Sequence, residues 1–112
     1  MSGVARELVA ASSKMIILSI LNREENYGYK ILESIKLLTE GVWVWKEGML
    51  YPMLHKMEKD KLIKSHWAET PGGKKRKYYQ ITELGLTQLQ KEKTEWKFVN
   101  STLSKLWRME VC

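Results

Sequence analysis

Four consecutive cations, Lys74, Lys75, Arg76 and Lys77, follow the pair Gly72-Gly73. Positive charges beside residues free to take positive φ make a flexible arm that neutralises phosphates and releases their counterions. A second group, Tyr51, His55 and Lys59, recurs at steps of four and is flanked by Pro52 and Lys56. On a helix this spacing gathers polar side chains on one outward face, where base edges or phosphates are met. The charge balance points to the same stretch. The 112 residues carry a formal net charge of +6. Residues 1–45 are neutral, with five Lys/Arg and five acids, and residues 83–112 are +1. Residues 46–82 hold nine Lys/Arg against Glu47, Glu58, Asp60 and Glu69, and so carry nearly all of the excess. A localised basic patch suits a polyanion such as nucleic acid, the alternative being an ordinary solvated basic surface.

Other chemistries find no matching residues. Gly72-Gly73-Lys74-Lys75 has neither the spacing nor the following hydroxyl residue of a nucleotide-binding phosphate loop. His55, His66 and Cys112 lack metal-ligand spacing, and no serine elbow or carboxylate pair stands out. No enzyme activity, cofactor or metal is expected. Cys112 is the single cysteine, which precludes an intrachain disulfide and fits a reducing cytoplasm. The apolar run Met15–Leu18, extended by Ile20 and Leu21, is far short of the ~18 residues that cross a bilayer. Arg6 and Glu7 stand where the apolar core of a secretory signal would begin, so neither export nor a membrane partner is expected.

The elements that position the two polar groups follow from periodicity. Leu8, Val9, Ser12, Met15, Ile16 and Ile20 predict a first helix from about Ala5 to Leu21. Ile17, Leu18 and Leu21 make its second half apolar nearly all round, which implies burial on more than one side. Asn22–Asn26 breaks that pattern. A second helix starts near Tyr27-Gly28-Tyr29, places Ile31, Leu32, Ile35 and Leu38 on one face, and ends at Gly41. Val42–Trp45 reads as a short extended piece, with Trp43 and Trp45 packing beside the third helix. That third helix is expected over Glu47–Lys61, with Leu50, Leu54 and Met57 inward. Pro52 counts against it unless it lies in the first turns, and Gly48, four residues earlier, leaves room for adjustment. Ile63, Ser65 and Trp67 alternate with Lys64, His66 and Ala68, Thr70-Pro71-Gly72-Gly73 turns, and Tyr78–Thr82 returns as a strand with one of Tyr78 and Tyr79 inward. Thr82 is a fitting N-cap for a long last helix running to about Met109. On it Leu89, Trp96 and Leu103 are seven apart, Val99 and Leu106 fill the seam, and Glu92 interrupts it. Such a helix overhangs so small a domain and packs most simply against a second chain.

Three helices, a basic hairpin and a long helix make a mainly α fold with a small β-hairpin, a winged helix-turn-helix with a C-terminal dimerisation helix. The expected division is residues 1–82 for DNA binding and 83–112 for dimerisation, within one compact unit. In this architecture the third helix enters the major groove and the hairpin touches the backbone or minor groove beside it. A protein-interaction module with a merely solvated wing is the competing reading.

Three stretches carry a family resemblance: Tyr27-Gly28-Tyr29-Lys30-Ile31, the run Glu47–Glu58 (EGMLYPMLHKME), and the run Gly72–Glu83 (GGKKRKYYQITE). Together they resemble the phenolic acid decarboxylase regulator (PadR) family of bacterial transcription factors, in which a proline at the place of Pro52 is common. The resemblance implies a homodimeric repressor on a palindromic operator of double-stranded DNA. By position it implies recognition-helix contacts from Tyr51, Pro52, His55 and Lys56, wing contacts from Gly73, Lys74, Lys75 and Arg76, and a backbone contact from Tyr29. Glu95-Trp96 on a short C-terminal region resembles the multidrug-sensing, LmrR-like branch, whose paired tryptophans sandwich planar aromatic effectors across the dimer axis. That likeness puts Leu8, Ala11, Lys14, Met15 and Asn100 around the pore, with Val99 and Leu103 beside Trp96 at the dimer seam. Asn100 replaces an acidic residue and Lys14 adds a positive charge, both departures from a cation-binding pore. Trp96 has two readings, ligand platform or dimer core.

Overall fold

The apolar faces of the helices meet in one core, and the computed structural model describes it for residues 6–111. Helix α1 spans Arg6–Arg23, slightly beyond its expected end, and buries Val9, Ile17, Leu18 and Leu21. Strand β1 (Asn26–Tyr27) leads directly into α2 (Gly28–Leu38), which adds Ile31 and Ile35. Helix α3 (Glu47–Lys59) contributes Leu50, Leu54 and Met57, the three positions expected to point inward. Strands β2 (Ile63–Glu69) and β3 (Lys75–Ile81) form the hairpin, and α4 (Glu83–Val111) closes the described chain. The architecture is the winged helix-turn-helix with a long final helix. Cys112, the basis of the disulfide and compartment expectations, lies outside the described residues. No described helix is long and apolar enough to cross a membrane.

Two short elements differ from expectation. Val42–Trp45 forms no strand. After α2, Glu40 and Gly41 both take positive φ (52° and 81°), and the Trp43 amide donates to the Thr39 hydroxyl at 3.0 Å. These bonds fold the chain back on the helix end, so its backbone groups are satisfied locally instead of in a ladder. Trp43 and Trp45 stack on one another, with ring centroids 6.0 Å apart, and Trp45 is buried in the core. The third strand comes instead from Asn26–Tyr27, which pairs antiparallel with Tyr78 and Tyr79, giving the order β1-β3-β2. Two polar-looking residues suffice because β3 supplies the partner edge and Tyr27 packs edge-on against Tyr78 at 5.3 Å.

Helix α3 tolerates Pro52 on its solvent side. Pro52 and Gly48 are both exposed, so the carbonyl deprived of its helical partner lies away from the core. The helix stops at Lys59, two residues early, because Lys61 takes a positive φ of 63° and the Leu62 amide turns back to the Met57 carbonyl at 3.0 Å. The start of α4 is locked as expected. The Thr82 hydroxyl accepts from the Gly85 amide at 3.0 Å, while the Thr82 amide donates to the Leu62 carbonyl at 3.1 Å. Gly85 is required here, since a Cβ at that position would sit 2.1 Å from the Leu62 carbonyl oxygen.

Candidate nucleic-acid interface

Helix α3 projects its polar face from the core beside the hairpin. Leu50, Leu54 and Met57 anchor one side, leaving Pro52, His55 and Lys56 exposed on the other. Tyr51 is half-buried, and its ring leans across the first residue of α2. A Cβ on Gly28 would lie 2.5 Å from the Tyr51 hydroxyl oxygen, so only glycine admits the ring in this position. Sequence reasoning missed Gly28 as a support for Tyr51. The signal available was the Tyr-Gly-Tyr triplet at the helix start. Lys56 is engaged with Asp60 one turn on, at 3.2 Å. Tyr29 is exposed on the first turn of α2. Neighbouring Lys30 bonds Glu33 at 3.1 Å, and the hydrogen bond and charge of that carboxylate raise the ammonium above its ordinary value.

The hairpin has two chemically different faces. Its register sets Ser65 opposite Tyr79, Trp67 opposite Lys77 and Glu69 opposite Lys75, so Lys75, Lys77, Tyr79, Ser65 and Trp67 share one face. This face turns toward α3. The Ser65 hydroxyl donates to Glu58 at 2.6 Å, and Lys77 lies 3.8 Å from the same carboxylate. Tyr79 is buried, and that burial, followed by the Glu58 charge, raises its phenol above the ordinary value. The other face carries Arg76 over the Tyr27 ring at 5.5 Å, and Tyr78 stacked on His66. The expected wing residues Lys75 and Arg76 therefore lie on opposite faces of the hairpin. The turn between the strands is closed by a bond from the Gly73 amide to the Thr70 carbonyl at 2.9 Å, with Gly73 at a φ of 84°, and Lys74 is exposed beside it. Between α3 and the hairpin lies a notch of about 340 Å³ lined by Tyr51, His55, Trp67, Lys75 and Lys77 among others. Cations thus flank a helix face of hydrogen-bonding and apolar groups.

The sequence profile of the transcriptional regulator PadR-like family matches residues 17–91. The chain belongs to the PadR-like family of transcriptional regulators. Members of this family bind DNA. A PadR-like transcriptional regulator of Bacillus cereus is 39% identical, over 89% of this chain and 95% of that one, with a TM-score of 0.79. A transcriptional regulator of Clostridium thermocellum is 31% identical, covering 88% and 96%, with a TM-score of 0.77. Among sequence relatives, the uncharacterized protein X of Lysinibacillus sphaericus is 31% identical over 100 residues, 89% of this chain and 92% of that protein. The transcriptional regulator YqjI of Escherichia coli is 29% identical over 90 residues, and the match takes up 42% of its length.

This PadR-like regulator has a second concave surface, between α1 and α4. Leu8, Met15, Trp96 and Asn100 meet there, in a mainly apolar groove of about 650 Å³ that also takes in Ser12, Ile16, Ser19, Leu38 and Trp43. Ala11, Lys14, Val99 and Leu103 do not line it. The groove uses the face of α1 centred on Ser12, Ile16 and Ser19, which leaves Ala11 exposed at its edge. Lys14 turns to α4 and lies 3.8 Å from Glu92, so its charge is met by a carboxylate. That pairing also accounts for Glu92 interrupting the seam. Val99 borders a smaller hollow on the far side of Trp96, with Glu92 and Glu95. Among the described residues, Leu89 is the last buried one of α4. Beyond it Val99, Leu106 and Trp107 are exposed, and Trp96 and Leu103 are half-covered.

Proposed function

We propose that this PadR-like regulator is a homodimeric repressor that binds a palindromic operator and is released by a planar aromatic small molecule. Residues 1–82 read DNA and residues 83–112 pair the subunits. Tyr51, Pro52, His55 and Lys56 enter the major groove. Gly73, Lys74, Lys75 and Arg76 reach the neighbouring minor groove and its backbone, and Tyr29 touches the adjoining phosphates. The observation that carries the reading is the pairing of an α3 polar face with a cationic hairpin around one notch. Dimerisation is supported by the apolar stripe Trp96, Val99, Leu103 and Leu106, which stays open along α4 in a single copy. Trp96 at the edge of the α1–α4 groove supports the effector site, whose volume falls within the ~300–1,000 Å³ usual for small ligands. Release requires the effector to prefer one spacing of the two reading heads, because equal affinity for both states shifts nothing. As a repressor acting on genomic DNA, the protein works in the cytoplasm.

Binding to palindromic promoter fragments, measured across a salt series, tests the reading. Log affinity falls steeply with log salt, and Lys75→Ala or Arg76→Ala each flattens the slope by about 0.9 on every sequence. Tyr51→Ala instead narrows the gap between operator and variant sequences. Failure to bind any duplex at low salt removes the proposal and leaves the protein-interaction module in its place. For the effector, planar aromatic compounds quench emission in the wild type and not in Trp96→Ala. Unchanged emission across a broad compound panel makes Trp96 a structural seam residue.

A further inference from the structure

Trp67 is 69% exposed, although it lies on the same strand face as buried Ile63 and half-buried Ser65. Strand β2 climbs away from the core as it runs, so this face leaves the shelter of α3 between Ser65, which still reaches Glu58, and Trp67, which does not. The indole therefore forms one wall of the notch opposite Tyr51 and His55. Lys77 stands opposite it across the ladder and Lys75 lies further along the same face. Among the described residues Lys75 has no ion-pair partner, whereas Lys77 is held by Glu58. A large aromatic surface left in water and rimmed by cations marks a contact with something both apolar and anionic.

We infer that Trp67 packs against the sugar–phosphate ridge of the duplex between the two grooves that α3 and the hairpin enter. The inference rests on the proposed operator-binding reading and deepens it. A helix in the major groove and a wing in the neighbouring minor groove straddle one strand of the backbone. Whatever lies between them must meet that strand. The notch lies there, and its chemistry matches the ridge. The indole face covers a deoxyribose, the indole N–H is available to a phosphate oxygen, and Lys75 supplies the opposing charge. Because sugar and phosphate are the same at every base pair, Trp67 contributes affinity and register without reading sequence.

The test uses the full-length protein labelled with 5-fluorotryptophan, whose five tryptophans each give a fluorine resonance. Trp67→Phe deletes one resonance and so assigns it. A mixed-sequence duplex several turns long, added at low salt, shifts the Trp67 resonance, while that of core Trp45 stays in place. In parallel, Trp67→Ala binds every duplex about tenfold more weakly with an unchanged salt slope, as suits loss of an uncharged contact. Trp67→Phe keeps an aromatic face and recovers most of the loss. Unaltered melting of both variants, expected at so exposed a site, separates contact from folding. A stationary Trp67 resonance at saturating duplex, or wild-type affinity in Trp67→Ala, overturns the inference while the operator reading stands. A loss confined to certain base sequences also overturns it, since a ridge contact is blind to sequence. A wild-type protein that binds no duplex overturns both.

Discussion

The notch between α3 and the hairpin and the groove between α1 and α4 have different degrees of completeness. The notch is finished within one chain. Its floor, Tyr79, is buried, its walls are tied by Ser65–Glu58 and Lys77–Glu58, and Tyr51 is seated on Gly28. The α1–α4 groove is open on the side of α4, where the apolar stripe beyond Leu89 is only partly covered: Trp96 and Leu103 are half-buried, and Val99 and Leu106 are exposed. A surface that meets a charged, hydrated ligand can be stable alone, because its polar groups are content in water. A stripe of Trp, Val and Leu is not, and burying it gives ~25 cal/mol per Å² to whatever covers it. On the proposed reading, one subunit specifies the reading surface, and two set its placement along DNA.

The largest effect should come from breaking the incomplete region. Leu103→Asp combined with Leu106→Asp puts two charges on the stripe without touching the core, since both residues lie beyond the last buried position of α4. Sedimentation is expected to shift from dimer to monomer. Operator affinity then falls by two orders of magnitude or more, about the gain that linking two binding heads provides. The circular dichroism of the winged domain stays intact. A dimer that survives the double substitution would relocate the interface and undo the contrast between the two regions.

An intermediate effect sharpens the comparison from the finished side. In Gly28→Ala the new methyl would lie 2.5 Å from the Tyr51 hydroxyl oxygen, so the ring must leave its seat. Discrimination between the operator and single-base variants should fall about tenfold, in the range of one lost base contact. The double variant Gly28→Ala/Tyr51→Ala should be no worse than Tyr51→Ala alone, because the two act through the same ring. Additive losses would mean that Gly28 matters for something other than Tyr51.

Much of this was legible in the sequence. Period-3.6 spacing located all four helices, because each carries an apolar stripe, buried in α2 and α3 and largely open in α4, and alternation located β2 and β3. Thr82 was legible as a cap because a hydroxyl before Glu83 has one obvious donor to serve. Strand β1 was not, since a two-residue strand has no period of its own and exists only through the edge of β3. Val42–Trp45 misled because β-branched and aromatic residues favour a pleated surface, whereas here the backbone turns back to Thr39, the two tryptophans stack and Val42 and Val44 stay exposed. In the functional regions, residue type identified the cations but not their faces. Lys75 and Arg76 are adjacent in sequence and on opposite faces of the strand, although both border the notch. Lys14, a pore residue by resemblance, is drawn off by Glu92 on a helix some eighty residues away, a pairing that helical periodicity alone does not reveal.

The smallest effect concerns the floor of the notch. Burial, and after it the Glu58 charge, raises the Tyr79 phenol above its ordinary value of 10.0. The folded state thus holds the neutral phenol more tightly than the unfolded chain does. The sign follows from linkage: the resulting stability is complete below the unfolded value and is lost as pH rises through the higher folded one. Urea midpoints should therefore fall more steeply above pH 10.0 in the wild type than in Tyr79→Phe, which has no proton to lose there. Parallel alkaline limbs in the two proteins would mean that water reaches the phenol. The notch would then have a soft floor, and its completeness within one chain would rest on the Glu58 contacts alone.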